Sequence, residues 1–209
     1  MNKYYQKFLS INKKIINSEN NEIKIIIGDR SRFQDSLINA SLGAILCKKH
    51  KSDALVISDK KNQVYRKIYR SFGFNNFFEE LKNENFFSFV FFKIIIASAY
   101  IFIKDFIKIY FKGYEWFIKD YKIEKIPLGD LIYNSYVRYN HSYMKEYPDL
   151  KFAKILFSVI IKLKTFNYFF NKYKIKYVLS NGLSYATSNG ILFRLASCKK
   201  IKIIKIEVM

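Results

Sequence analysis

Three short stretches hold the residue types that could do chemistry: Gly28-Asp29, Gly129-Asp130 and Asn181-Gly182. The chain has only seven glycines and two prolines, so such a pair beside an apolar run marks a turn. Read as strand-to-helix loops, the three would lie where open parallel sheets bind ligands, at the carboxyl ends of the strands. Helix N-termini behind such loops favour anions and hydroxyl-rich ligands.

The stretch "IPLGDLIYNSYVRYN" (126–140) is the densest of the three. It is expected to be a strand-to-helix loop at the mouth of a binding cleft. Asp130 has two readings: an N-cap acid that satisfies backbone N–H groups, or an acceptor ligand or general base within reach of a cleft. Tyr133, Tyr136 and Asn140 fall on one helical face. Tyrosine offers a flat ring and a hydroxyl, which suits a sugar as well as it suits ordinary packing. Arg138 is one of six arginines among 37 basic residues. Its planar fork could orient an anion or form a surface ion pair. His141 is either a base or a plain surface or core histidine. Asn181, Ser184 and Tyr185 cluster at the last loop, where a helix start is the plain alternative.

No loop reads as GxGxxG or as a Walker A motif, so nothing points to a dinucleotide or P-loop site. His50 and His141 stand alone, and Cys47 and Cys198 are far apart. No pair has metal-ligand spacing, so no metal or cofactor is expected. The N-terminus lacks the apolar core of a signal peptide. These features together suggest a cytoplasmic, reduced setting, and the apolar, aromatic-rich segment 86–122 adds a peripheral association at the inner face of the membrane as an option.

The elements that must position these residues follow from the apolar pattern. "EIKIII" (22–27) and "ALVISD" (54–59) read as buried strands. "QDSLINASLGAILCKKH" (34–50) and "NQVYRKIYRSFG" (62–73) read as helices, the second stopped by Gly73. A weak edge-like strand is expected over 121–126. A long helix over 150–173 presents Phe152, Ile155/Leu156, Val159, Leu163, Phe166 and Phe169/Phe170 on one face. "IKYVLSNG", "SYATSNGILFRLASCKK" and "IKIIKIEV" close the chain as strand, helix and strand. Short alternating connections of this kind indicate an α/β fold, a Rossmann-like parallel sheet flanked by helices. Residues 1–21 would form a peripheral helix and 22–209 the domain itself.

Between the two βαβ regions lies an aromatic-rich helical insertion. "FFSFVFFKIIIASAYIFI" (86–103) is almost wholly apolar but interrupted by Lys93, borderline in length for a span. "KDFIKIYFKGYEWFIKDYK" (104–122) alternates basic and aromatic residues. The segment could cross a membrane, lie in its interface, or be buried. The net charge of +20 admits an anionic membrane surface, nucleic acid or compositional drift as its explanation. Lysine outweighs arginine and forms no block of five or six, which argues against nucleic acid.

The motif stretches resemble the N-terminal half of bacterial surface- and capsular-polysaccharide biosynthesis proteins with a two-domain GT-B glycosyltransferase fold. Gly129, Asp130, Ile132, Tyr133, Tyr136 and Arg138 match a Gly-Asp-x-Ile-Tyr-x-x-Tyr-x-Arg stretch, and Tyr185, Gly190, Ile191, Arg194 and Ala196 match a second. The resemblance covers roughly residues 22–207. It implies an acceptor-side domain taking a glycan or lipid-linked acceptor, with Gly28, Asp29, Gly129, Asp130, Tyr133, Arg138, Asn181, Gly182 and Tyr185 lining that side. It also implies a nucleotide sugar as donor, bound by a C-terminal domain that has no counterpart in these residues, so that a separate half or partner subunit is expected. Where relatives often carry a histidine, this chain has Asn181-Gly182. The alternative is a non-enzymatic membrane-surface protein anchored through 86–122.

Overall fold

The computed structural model describes residues 22–29, 33–58, 63–79, 89–140, 148–181 and 188–206, together with Lys7, Ser10 and Tyr143. The helix expected over 1–21 lies almost wholly outside them, as do Gly182, Ser184, Tyr185 and His141. In chain order the elements are β1 (Ile23–Asp29), α1 (Phe33–His50), β2 (Asp53–Ser58), α2 (Gln63–Ser71), β3 (Asn76–Glu79), α3 (Phe89–Asp120), β4 (Lys122–Ile123), β5 (Ile126–Pro127), α4 (Gly129–Asn140), α5 (Leu150–Tyr173), β6 (Tyr177–Asn181), α6 (Ser188–Cys198) and β7 (Lys202–Ile206). They fall into two compact units. One comprises Met1–Asn83, Phe169–Gly182 and Ile201–Met209, the other Glu84–Tyr168 and Leu183–Lys200.

The first unit holds a five-stranded sheet in the order β3-β2-β1-β6-β7, parallel throughout. Ile25, Ile26 and Ile27 are all fully buried, as a parallel strand covered on both faces requires. The register sets Gly28 beside Ile57 on one side and Ser180 on the other. Ile25, Ile27, Val56, Ala40, Ala44, Cys47, Tyr69 and Phe74 share one core. Helix α1 lies close to the sheet because its buried stripe is small: a Cβ on Gly43 would come within 2.5 Å of Ile27 Cδ1. Strand β3, with no alternation and flanked by Asn and Glu, gave no sequence signal. Its Phe78 is buried edge-on to Phe169, 4.8 Å between ring centroids.

The second unit is helical and aromatic. Helix α3 runs from Phe89 to Asp120 but breaks its helical geometry at Gly113 (φ 74°). Across that kink the Tyr121 hydroxyl donates to Asp105 Oδ2 at 2.8 Å. The rings of Phe106, Tyr114, Phe117 and Tyr136 converge on Phe152. Phe152, Leu156, Val159, Leu163 and Phe166 are buried, so the face foreseen for α5 is the face it buries. Asp149 caps that helix, accepting from the Phe152 N–H at 2.7 Å, as an N-cap acid does.

The expected edge strand over 121–126 is instead a two-residue antiparallel ladder, β4 with β5, separate from the parallel sheet. Its turn residues Glu124 and Lys125 both have positive φ, 51° and 70°. Asn-Gly ordinarily signals such a turn, and here neither residue does. Gly129-Asp130 therefore follows a hairpin in the second unit, not a strand of the parallel sheet. Among the described residues no helix is long and apolar enough to cross a membrane.

Candidate functional site

The parallel sheet reverses its strand order between β1 and β6, since β2 and β3 extend one way from β1 and β6 and β7 the other. Ligands of open α/β sheets bind outside the carboxyl ends at such a reversal. Gly28-Asp29 ends β1 and Ser180-Asn181 ends β6, with Gly28 and Ser180 paired in register. The strand ends that precede two of the three loops singled out in the sequence are thus neighbours at the switch point. The Asn181 backbone is in β6.

A buried polar network holds this edge. Ser36 Oγ donates to Asp29 Oδ1 at 2.7 Å and the Tyr69 hydroxyl donates to the same oxygen at 3.2 Å. Asn39 Nδ2 and Ser180 Oγ both donate to the Gly28 carbonyl, at 3.3 and 3.0 Å. Burial, reinforced by the Asp29 carboxylate, pushes the Tyr69 hydroxyl well above its ordinary range and keeps it a donor. Asp29 itself is 1% exposed. Its carboxylate faces the protein interior, so it sets the shape of the edge through Ser36 and Tyr69. Asn39 Oδ1 is buried with no hydrogen-bond partner among the described residues. Sequence reading missed Ser36, Asn39 and Tyr69. The signal was present: Ser36 and Asn39 sit on the α1 stripe that continues as Ala40, Gly43, Ala44 and Cys47, all buried.

The second unit carries the other predicted residues. Arg194, on α6, grips Asp130 with both arms: Nη1 to Oδ1 at 2.7 Å and Nη2 to Oδ2 at 2.5 Å. Nη1 also donates to the Pro127 carbonyl at 2.6 Å. Fork-to-fork pairs of this kind fix orientation as well as charge. The hydrogen bonds from Arg194 lower the Asp130 pKa despite partial burial, with its charge adding to the effect. A carboxylate held this way is a weaker proton acceptor than a free one. Asp130 also lies inside the first turn of α4, not at its cap, because Leu128 O already accepts from the Ile132 N–H at 3.0 Å.

Gly129 has a packing reason for being glycine. A Cβ there would sit 1.8 Å from the backbone oxygen of Phe117. Tyr136 is buried and spends its hydroxyl on Asp149 Oδ2 at 2.7 Å. Burial first, then that carboxylate, pushes its pKa up to about 12. Asn140 Nδ2 donates to the Tyr136 carbonyl at 2.9 Å. Tyr133 is half-buried and Arg138 exposed on the same helix, which leaves these two reachable from solvent. Of the cysteines, Cys47 is buried, its thiol raised to about 12 by burial and then by Asp53, and Cys198 is exposed. Among the described residues no cluster of His, Cys, Asp and Glu could hold a metal.

The chain matches no family model, no curated protein and no solved structure.

Proposed function

We propose that this chain is the acceptor-side Rossmann-like domain of a surface-polysaccharide glycosyltransferase, in which a sugar passes from a nucleotide donor to a glycan or lipid-linked acceptor. One observation carries the reading. The two sequence stretches behind the resemblance, 64 residues apart at their contact, meet in the Arg194–Asp130 fork, so they form one local structure. The sheet reversal at β1 and β6, the usual ligand position in open α/β folds, supports it further. Among the residues of the first stretch that solvent reaches, Tyr133 has a ring face suited to a sugar and Arg138 a guanidinium suited to an anionic substituent. Asp130, with its lowered basicity, positions Arg194 and the start of α4 in this reading. The donor nucleotide is held by a second domain or a partner subunit.

The test is acceptor binding by the chain itself, read by saturation-transfer NMR with oligosaccharides released from bacterial surface polysaccharide. Binding that weakens in Tyr133→Ala and Arg138→Ala is expected. A chain that binds free nucleotide sugars but no oligosaccharide would overturn the acceptor-side assignment. Binding of neither would overturn the reading as a whole.

A further inference from the structure

The first three-quarters of α3 presents an apolar face to solvent. Phe92, Ile96, Tyr100, Ile103, Ile107 and Phe111 are all exposed, from 52% at Ile107 to 81% at Phe111. Their spacing of three and four residues keeps them within about 100° of arc on a helix of 3.6 residues per turn. An ordinary surface helix turns such a stripe inward. Here the inward positions are filled separately: Ser98 and Ile109 are buried on the other side of the helix.

One border of the exposed stripe is basic. Lys93, Lys104, Lys108 and Lys112 are exposed and follow one another by eleven, four and four residues, which keeps them along one edge. Asp105 is the sole carboxylate between Phe89 and Lys112. It is half-buried and accepts the Tyr121 hydroxyl, so it does not interrupt that edge. Lys108 and Lys112 lie over the ring of Trp116, each 4.8 Å from its centroid. An apolar stripe and a lysine border, on a helix not long and apolar enough to cross a bilayer, are the features of an interfacial helix.

We infer that this face of α3 docks on an anionic lipid bilayer, its stripe sinking to the level of the headgroup–acyl boundary and its lysines meeting lipid phosphates. Charge complementarity selects this occupant. A second copy would bring the same lysine border against itself in a chain of net charge +20, whereas an anionic leaflet neutralises it. The inference stands apart from sugar transfer and holds whichever reaction the chain serves.

Trp116 is the only tryptophan, and its contact with two border lysines makes it a built-in reporter. The full chain is titrated with vesicles of phosphatidylcholine mixed with phosphatidylglycerol, and with pure phosphatidylcholine vesicles. A blue shift of Trp116 emission and its quenching by brominated acyl chains are expected with the mixed vesicles only. Ile103→Asp with Ile107→Asp, and separately Lys104→Glu with Lys108→Glu, should each weaken binding by roughly tenfold or more. The substituted side chains are exposed, and unchanged circular dichroism checks that the fold is kept. Lys151→Glu with Lys154→Glu, exposed on α5, alters net charge equally and should change binding little. Absence of binding to mixed vesicles, wild-type binding by the stripe variant, or equal losses in the α5 control would each overturn the inference. So would a dimer in sedimentation that the stripe variant dissociates without any vesicle binding.

Discussion

The dipeptide Gly-Asp occurs where β1 ends and again where α4 begins, and the two regions use it in opposite ways. Asp29 is 1% exposed and is held by two hydroxyls from α1 and α2. The Asp130 side chain is 47% exposed and is held by a guanidinium from α6. At the first site the neighbouring glycine supplies a carbonyl that Asn39 and Ser180 both use. At the second the glycine supplies empty space, since the Phe117 carbonyl occupies the place of its Cβ. The contrast shows that a turn-like dipeptide reports a local need of the backbone, and that the packing around it decides whether the acid becomes an interior acceptor or a surface anchor.

Breaking the second region should have the largest effect. Gly129→Ala puts a Cβ 1.8 Å from Phe117 O, and a backbone oxygen cannot swing away as a side-chain tip can. A loss of about 3 kcal/mol or more is expected, at or beyond the upper end for overpacking, measured as a fall in the urea midpoint. If Gly129 were there only for ligand access, the substitution would leave stability unchanged.

The first region should yield somewhat less. Asp29→Ala removes the acceptor shared by Ser36 and Tyr69 and strands two buried hydroxyls, a loss of about 2 kcal/mol. Tyr69→Phe removes one donor and leaves Ser36 in place, so about 1 kcal/mol is expected. Equal losses for the two variants in equilibrium unfolding would mean that the network is not centred on Asp29.

The same comparison explains how much could be read from sequence. Apolar runs identified β1 and β2, because parallel strands buried on both faces need no alternation. Strand β6 was legible from Tyr177–Leu179, and the largely exposed edge strand β7 from Ile203, Ile204 and Ile206 between lysines. Gly73, at φ 92°, ended α2 where expected. Elsewhere the usual signals are missing. Lys51, Lys174 and Lys200 take the left-handed conformation after α1, α5 and α6, a position normally marked by glycine. The β4–β5 turn likewise uses Glu124 and Lys125, which is why 121–126 read as a strand. At the candidate site the Gly28 and Asn181 loops were legible as strand ends. The Asp130–Arg194 pairing was not, since a contact across 64 residues leaves no local pattern. The spacing of Ser36 and Asn39 on the α1 stripe was legible, but their acceptors, Asp29 Oδ1 and the Gly28 carbonyl, were not, because those contacts form only once the helix is docked.

A smaller, stabilising effect follows from that hairpin. Glu124 is engaged by Lys164 and by Asn167 Nδ2 at 3.2 Å, so it is better left in place. Lys125 is exposed at φ 70°. Lys125→Gly removes a left-handed penalty of about 1–2 kcal/mol and gives part of it back in chain entropy. A gain of about 0.5–1 kcal/mol in thermal unfolding is expected, and a loss would show that the lysine side chain matters more than its backbone.

The smallest effect is a pH dependence at Asp130. Hydrogen bonds from Arg194 place the Asp130 pKa below its ordinary value in the folded chain. A carboxylate lowered on folding stabilises fully above its unfolded pKa of about 4, and that contribution fades as pH falls through the lower folded value. Because the pair is partly exposed, solvent screening limits it to a few tenths of a kcal/mol. Asp130→Asn should therefore be slightly less stable than the parent at neutral pH and converge on it in acid, with the gap at neutral pH shrinking in high salt. Arg194→Lys should lose the two-armed geometry while keeping the charge, and so show a smaller gap of the same pH dependence. A gap between Asp130→Asn and the parent that ignores both pH and salt would mean that the fork works by shape alone, holding Pro127 and the first turn of α4 in register with α6, and the contrast with the buried acid at β1 would then rest on exposure and not on charge.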